Sequence, residues 1–256
     1  MRGGRAPLLH RVARGRTVGL WGGPMTVLLA FAALTATADA RKSSHDRPTA
    51  TPSQEVALLT QPEGLVSSRG RPQTPLRTIA AWRPITGVRT ALPVIGRTTT
   101  PDGVQLLRVM LPGRPNGSQG WIRQRAVSLA EISWRIVVHT TNRRVLVYHG
   151  GALVRSISAV VGRASTPTPH GLFFVEESVR MRAGVAGGPY ALALSAHSTA
   201  LQEFEGSPGQ IAIHGMAGLR GALGTATSHG CIRVADRDLR WLVARIAPGV
   251  RISIVS

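Results

Sequence analysis

From Ile132 to Gly162 the chain reads "ISWRIVVHTTNRRVLVYHGGALVRSISAVVG", and its apolar residues recur at every second position. Ile136 and Val138 alternate with Val137 and His139, and Val145 and Val147 alternate with Leu146 and Tyr148. Successive strand residues point to opposite faces, so this period predicts paired antiparallel strands with turns at "TTNRR" and "HGGA". The pattern continues through "HGLFFVEE", "PYALALS" and "GQIAIHG", and "VRISIVS" closes the chain as a last strand. One stretch breaks the period. From Asp236 to about Ala247, Leu239, Leu242, Val243 and Ile246 fall on one face of a helix, with Asp236 as its cap and Pro248-Gly249 as its stop.

Between Glu55 and Leu129 the apolar pieces are shorter: "VALL", "LRTIAAW", "ALPVIG", "VQLLRVML" and "GWIRQRAVSL". The segments "TTTPDG" and "PGRPNGSQG" separate them, and strands at this spacing predict a small β-barrel. The run from Leu92 to Leu129, with Gly120-Trp121-Ile122 ending a strand, resembles bacterial SH3-like modules. Its plainer alternative is a β-rich packing domain with Trp121 in the core, and no chemistry is assigned to it.

Two segments precede this module. Arg41 to Gln54, "RKSSHDRPTATPSQ", is polar and proline-bearing, the composition of a linker. The first forty residues carry five arginines, the apolar run "MTVLLAFAALTATA" from Met25 to Ala38, and the small-x-small triplet Ala38-Asp39-Ala40. This is the form of an export signal cleaved after Ala40. Gly22, Gly23 and Pro24 interrupt the alternative, a membrane anchor that would leave the chain tethered. The expected organisation is therefore a signal at 1–40, a linker at 41–54, an SH3-like module at 55–130 and a second β domain at 132–256.

Composition adds a location and a partner class. Of 256 residues 43% are hydrophobic, enough to bury a core. Lys and Arg total 31 against 12 acids, a formal charge of +19, and Lys42 is the only lysine. Removal of the signal leaves 26 basic and 11 acidic residues, or +15. Such a surface attracts a polyanion. Outside the cytoplasm that polyanion is not expected to be nucleic acid.

Export makes the single cysteine informative. Cys231 stands in "ATSHGCIRVAD", two places after His229. Exported chains use cysteines in pairs, and one cysteine cannot pair within its own chain. It is an intermolecular bridge, a buried thiol acting as a small hydrophobe, or a reagent. Upstream, "IAIHG" places Ile211 and Ile213 on one face of a strand and Ala212 and His214 on the other. Gly215, Gly218, Gly221, Gly224 and Gly230 then make a turning loop that can fold the thiol back over His214. Arg233 and the following helix both favour a thiolate, and an imidazole within reach completes an activated nucleophile. Amides near Gly230 and Cys231 are candidates for an oxyanion hole. Against this, His214 can be a satisfied polar group, and Arg233 can pair with Asp236 or Asp238. His214, His229 and Cys231 can also ligate zinc, although a fourth ligand and a CxxC spacing are absent.

The block "IHGMAGLRGALGTATSHGCIRV" resembles the signature of the L,D-transpeptidase (YkuD-type) catalytic domain family. "VVGRASTPTPHGLFFVEE", at Val160 to Glu177, and the closing "GVRISIV" resemble two further family segments, so the likeness runs from Trp134 to Ser256. The resemblance implies a mainly β fold, a β-sandwich with one short helix after the cysteine and the site under a flap. It makes Cys231 the nucleophile and His214 the proton acceptor and donor. His229 and Gly230 shape the pocket and oxyanion hole, and Ser228 supports the hydrogen bonding. Arg233, with Gly215 and Tyr190, lies on the substrate side and orients the loop or engages a carboxylate. The flap is expected in "ESVRMRAGVAGGPY", Glu177 to Tyr190.

The implied reaction is acyl transfer between peptidoglycan stems through a Cys231 thioester, without a cofactor, and carbapenems are implied covalent inhibitors. Water as acceptor gives a carboxypeptidase, and a protein amine gives attachment of protein to wall. The rivals from other classes are a non-catalytic wall-binding protein and a zinc-dependent hydrolase.

Overall fold

The computed structural model describes residues 53–73, 77–203 and 208–256. The expected signal and nearly all of the linker lie outside the described residues. Among those described, no helix is long and apolar enough to cross a membrane.

The N-terminal module contains β1 (Gln54–Leu59), β2 (Glu63–Gly64), β3 (Thr78–Ile79), β4 (Ala91–Thr99), β5 (Gln105–Met110), β6 (Gln119–Arg123) and β7 (Val127–Ile132). Five of them form an antiparallel sheet in the order β6-β5-β4-β1-β7, while β2 and β3 make a separate short ladder. The two predicted turn segments join β4 to β5 and β5 to β6. Alternation along β6 buries Ile122 and leaves Trp121 half-exposed, so the tryptophan is not the core residue that the plainer alternative made it. Leu59, Leu92, Leu107, Val109 and Ile122 form that core, and Phe174 from the second half of the chain is buried among them.

The C-terminal half holds β8 (Trp134–His139), β9 (Arg144–His149), β10 (Ala152–Gly162), β11 (Gly171–Arg180), β12 (Tyr190–His197), β13 (Gln210–His214), β14 (Ala226–Ser228), β15 (Ile232–Val234), helix α1 (Asp236–Val243) and β16 (Arg251–Val255). Two long strands pass from one layer to the other. Residues 152–158 of β10 pair with β9, and Ala159 and Val160 pair with β15. Gly171 to Phe174 of β11 pair with β16, and the strand then pairs with β12 from Val175 onward. Pairings β12–β13 and β13–β15 complete one layer, and β16–β8 and β8–β9 the other. The result is a β-sandwich closed along both edges, which leaves few unpaired strand edges.

The residues predicted to face inward do so. Ile136, Val138, Val145, Val147, Ile211 and Ile213 share one core with Leu239 and Leu242 of α1. The helix is shorter than its apolar pattern suggested. It ends at Val243, and Ile246 reaches the same core from the turn beyond it. Nor does Asp236 cap it: the cap position is Ala235, without a side-chain hydrogen bond.

Candidate active site

Strands β13 and β15 run parallel, with Ile213 opposite Ile232 and His214 opposite Arg233. Ile211, Ile213, Ile232 and Val234 are buried in the core. Residues of the opposite parity, Ala212 and His214 on β13 and Cys231 and Arg233 at β15, therefore share the other face. They line one cavity of about 400 Å³, together with His229. Met181 and Ala186 of the β11–β12 connection close one side, and Ser198, Leu201 and Gly209 close another.

The imidazole of His214 is held at one nitrogen. Its Nδ1 lies 2.9 Å from the Gly215 carbonyl. A carbonyl only accepts, so Nδ1 carries the hydrogen and Nε2 keeps its lone pair. Burial lowers the His214 pKa below the ordinary histidine value; the Arg233 charge adds to this and the Gly215 hydrogen bond opposes it. This is a neutral base with a fixed tautomer. The thiol sulfur of Cys231 lies 4.0 Å from the Gln210 carbonyl, on the strand that carries the histidine.

The turn before the cysteine is fixed by hydroxyl groups. Ser228 is fully buried, and its Oγ donates to the Cys231 carbonyl at 2.6 Å while accepting from the Gly230 amide at 3.1 Å. Gly230 adopts φ of +122°, and a Cβ there would lie 3.0 Å from the Ile211 side chain, so glycine is needed. Its amide is committed to Ser228, and this corrects the expectation of an oxyanion donor at that nitrogen. Two buried threonines complete the brace. Thr168 Oγ1 donates to the Gly230 carbonyl at 2.8 Å and accepts from the Gly162 amide at 2.9 Å, and Thr166 Oγ1 donates to the Ser228 carbonyl at 3.2 Å. They belong to the "TPTP" segment, whose prolines lack amide hydrogens and whose only polar side chains are these hydroxyls. That was the available signal for them.

The β11–β12 hairpin supplies the expected flap, and it is stapled to the loop beneath. Gly187 donates to the Ala217 carbonyl at 2.7 Å and accepts from the Gly215 amide at 2.8 Å. A Cβ on Gly187 would lie 2.6 Å from His214 Nδ1, so the flap backbone seats directly against the imidazole. Asp236, freed from capping, accepts from the amide of Met216, the residue between Gly215 and Ala217, at 3.0 Å and ties this end of the loop to α1.

Three sequence expectations change. Tyr190 pairs with Arg180 at the flap base and packs against the core, while its neighbour Ala191, opposite His214, lines the cavity. Alternation turns the tyrosine away from the cavity. Arg233 donates to the Arg220 carbonyl at 3.0 Å and so braces the glycine-rich loop; it does not pair with Asp236 or Asp238, and Asp238 instead meets Arg155 at 2.6 Å. The whole of β15 separates Cys231 from α1, and a helix terminus acts only over its first turn. Among the described residues no three His, Cys, Asp or Glu side chains converge as a metal-ligand set.

Comparison with known proteins matches this half of the chain. Residues 133–254 match the YkuD family model, the L,D-transpeptidase catalytic domain. A curated protein of Bacillus licheniformis, "Putative L,D-transpeptidase YkuD", is 31% identical over 123 residues, or 48% of this chain and 66% of its own length. The chain thus spans just under two thirds of that relative. Among solved structures, a mutant L,D-transpeptidase of Enterococcus faecium is 21% identical over 47% of this chain and 49% of its own, with a TM-score of 0.37. L,D-transpeptidase 3 of Mycobacterium tuberculosis, in complex with a faropenem-derived adduct, is 15% identical over 65% of this chain and 91% of its own, with a TM-score of 0.43. The family match thus falls on the segment that holds His214 and Cys231, and residues 133–254 are similar to the L,D-transpeptidase catalytic domains of the YkuD family.

Proposed function

We propose that the chain is an exported cysteine acyltransferase that cross-links peptidoglycan stems. The observation that carries this is the placement of His214 and Cys231 on one face of two adjacent parallel strands, lining one cavity, with Nδ1 of the imidazole spent on Gly215. That arrangement leaves Nε2 as the proton acceptor for the thiol.

The Cys231 thiolate attacks the carbonyl of the bond between an L-centre and the terminal D-alanine of a tetrapeptide stem. The C–N bond breaks, the departing D-alanine amine takes the proton from His214, and a thioester remains. The side-chain amine of a diaminopimelate residue in a neighbouring stem then attacks the thioester. Its proton passes to His214, the C–S bond breaks, and a 3-3 cross-link is released with the thiol restored. Ser228, Thr166 and Thr168 keep the Cys231 turn in shape, Arg233 holds the loop over it, and His229 forms part of the pocket wall. The excess of arginine suits an anionic wall outside the membrane. A strained β-lactam carbonyl is an electrophile of the same kind, so carbapenems are expected to acylate Cys231.

The test is to incubate the chain with tetrapeptide-bearing wall fragments and weigh both products and protein. Cross-linked dimers and a protein adduct one acyl group heavier on Cys231 are expected. Trimmed tripeptides alone identify water as the acceptor, and an adduct that persists in Cys231→Ala removes the thiol mechanism.

A further inference from the structure

The part of the cavity lined by Ser198, Leu201 and Gly209 is held by the N-terminal module. His197 ends β12, and just beyond it the Ser198 amide donates to the Gly209 carbonyl at 2.8 Å, while Ser198 Oγ accepts from the amides of Ala200 and Leu201 at 3.2 and 3.0 Å. Ser198, Leu201, Gly209 and Gln210 line the cavity, and the Gln210 carbonyl is the one that the Cys231 thiol approaches.

The β5–β6 turn of the other module grips this wall from outside. Asn116 pairs with the main chain of His197 in both directions, its Nδ2 donating to the carbonyl at 2.7 Å and its Oδ1 accepting from the amide at 2.8 Å. The side-chain amide thereby does what a neighbouring strand would do at the end of β12. Arg114 Nη2 donates to the carbonyls of Leu201 at 2.9 Å and Pro208 at 3.3 Å, which stand at the two ends of the wall. Four hydrogen bonds from these two residues hold this wall. Neither residue touches the reacting atoms.

We propose that Arg114 and Asn116 are positioning residues that hold the wall formed by Ser198, Leu201, Gly209 and Gln210 in the shape that receives the acyl donor, so that the N-terminal module sets donor binding. This rests on acyl transfer at Cys231. A mere adhesive between two modules would need no contact with a segment that lines the cavity.

The test uses the full chain with Asn116→Ala, Arg114→Ala and both together, and with Arg97→Ala as a control on the same module. Amide exchange of Ser198 to Leu201 is expected to accelerate about tenfold in the clamp variants and not in the control, the change that loss of one hydrogen bond brings. The apparent KM for tetrapeptide acylation of Cys231 is expected to rise about tenfold while the maximal rate and the iodoacetamide alkylation rate hold within about twofold. Arg114→Lys, which restores one charged donor, is expected to recover part of the KM.

Exchange and KM within about twofold of wild type in the double variant would overturn the proposal, and so would a fall in thermal midpoint with an unchanged KM. If the wild-type chain takes no acyl group from the tetrapeptide, the acyl-transfer function falls, while exchange and the half-saturating carbapenem concentration still decide the clamp. Should the double variant not fold, Asn116→Asp, which keeps the acceptor for the His197 amide and sets a carboxylate against its carbonyl, gives the same two readouts.

Discussion

His214 is buried beside a cation, and both circumstances favour its neutral form. The folded chain therefore binds fewer protons at this site than the unfolded chain below the ordinary value of 6.5. The stability tied to neutral His214 is complete above that value and is lost as the pH falls beneath it. Two outcomes follow from the sign. The acid limb of Cys231 acylation, a property of the thiol and imidazole together, is expected below pH 6.5, and Arg233→Gln is expected to move it upward by removing the like charge. Mass spectrometry of the adduct across the acid range measures both; a limb above 6.5 in the wild type, or a downward move in the variant, contradicts this. The thermal midpoint should also fall less on acidification in His214→Gln than in the wild type. Buried His197 contributes with the same sign in both proteins, so the difference between them isolates His214.

Two elements frame the site, the flap hairpin against His214 and the braced "TPTP" segment against the turn before Cys231. Gly187→Ala directs a methyl group at the imidazole from a backbone with φ of +84°, and the flap must retreat to admit it. A displacement of about 1 Å at a reacting group costs roughly a hundredfold in rate, so kcat/KM should fall by about that factor while the fold survives. Thr168→Val keeps the shape and leaves the Gly162 amide and Gly230 carbonyl without their partner, a cost of about 1–3 kcal/mol in urea unfolding. The sequence made some of this frame legible and hid the rest for a physical reason. Alternation assigns each strand residue to a face, so the inward valines and isoleucines and the outward His214 could be read directly. It does not say which strand lies alongside, and that decides whether an outward residue meets a cavity or a packed core. Tyr190 turned to the core, Asp236 left the helix cap for Met216, and the Gly230 amide went to Ser228 because of tertiary neighbours. The threonines were in plain sight, but a hydroxyl declares its partner only when the chain is folded around it.

At the scale of the molecule, the two modules meet over a charged site as well as an apolar one. Phe174 enters the core of the N-terminal module, and the next two acids along the same strand, Glu176 and Glu177, are buried against Arg83. Glu177 also accepts from the amide and hydroxyl of Thr86 at 3.1 and 2.7 Å, whereas Glu176 has its pKa raised by burial, with the Glu177 charge adding and Arg83 opposing. A raised carboxyl favours the folded state below its ordinary value of 4.5 and loses that contribution as the pH climbs toward the folded-state value. Arg83→Met removes the cation that both carboxylates face. Breaking a buried pair from one side costs about 3–5 kcal/mol, so the variant should be destabilised by about that amount in urea at neutral pH. Near pH 4.5, where Glu176 is protonated, the cost should shrink, because one of the two stranded charges has gone. Because Phe174 and these acids lie on one strand that also forms the catalytic sandwich, both modules should unfold in a single transition whose slope the substitution leaves unchanged. An equal cost at both pH values would show that the two acids do not share the arginine's charge, and two separate transitions would show that this strand does not couple the modules.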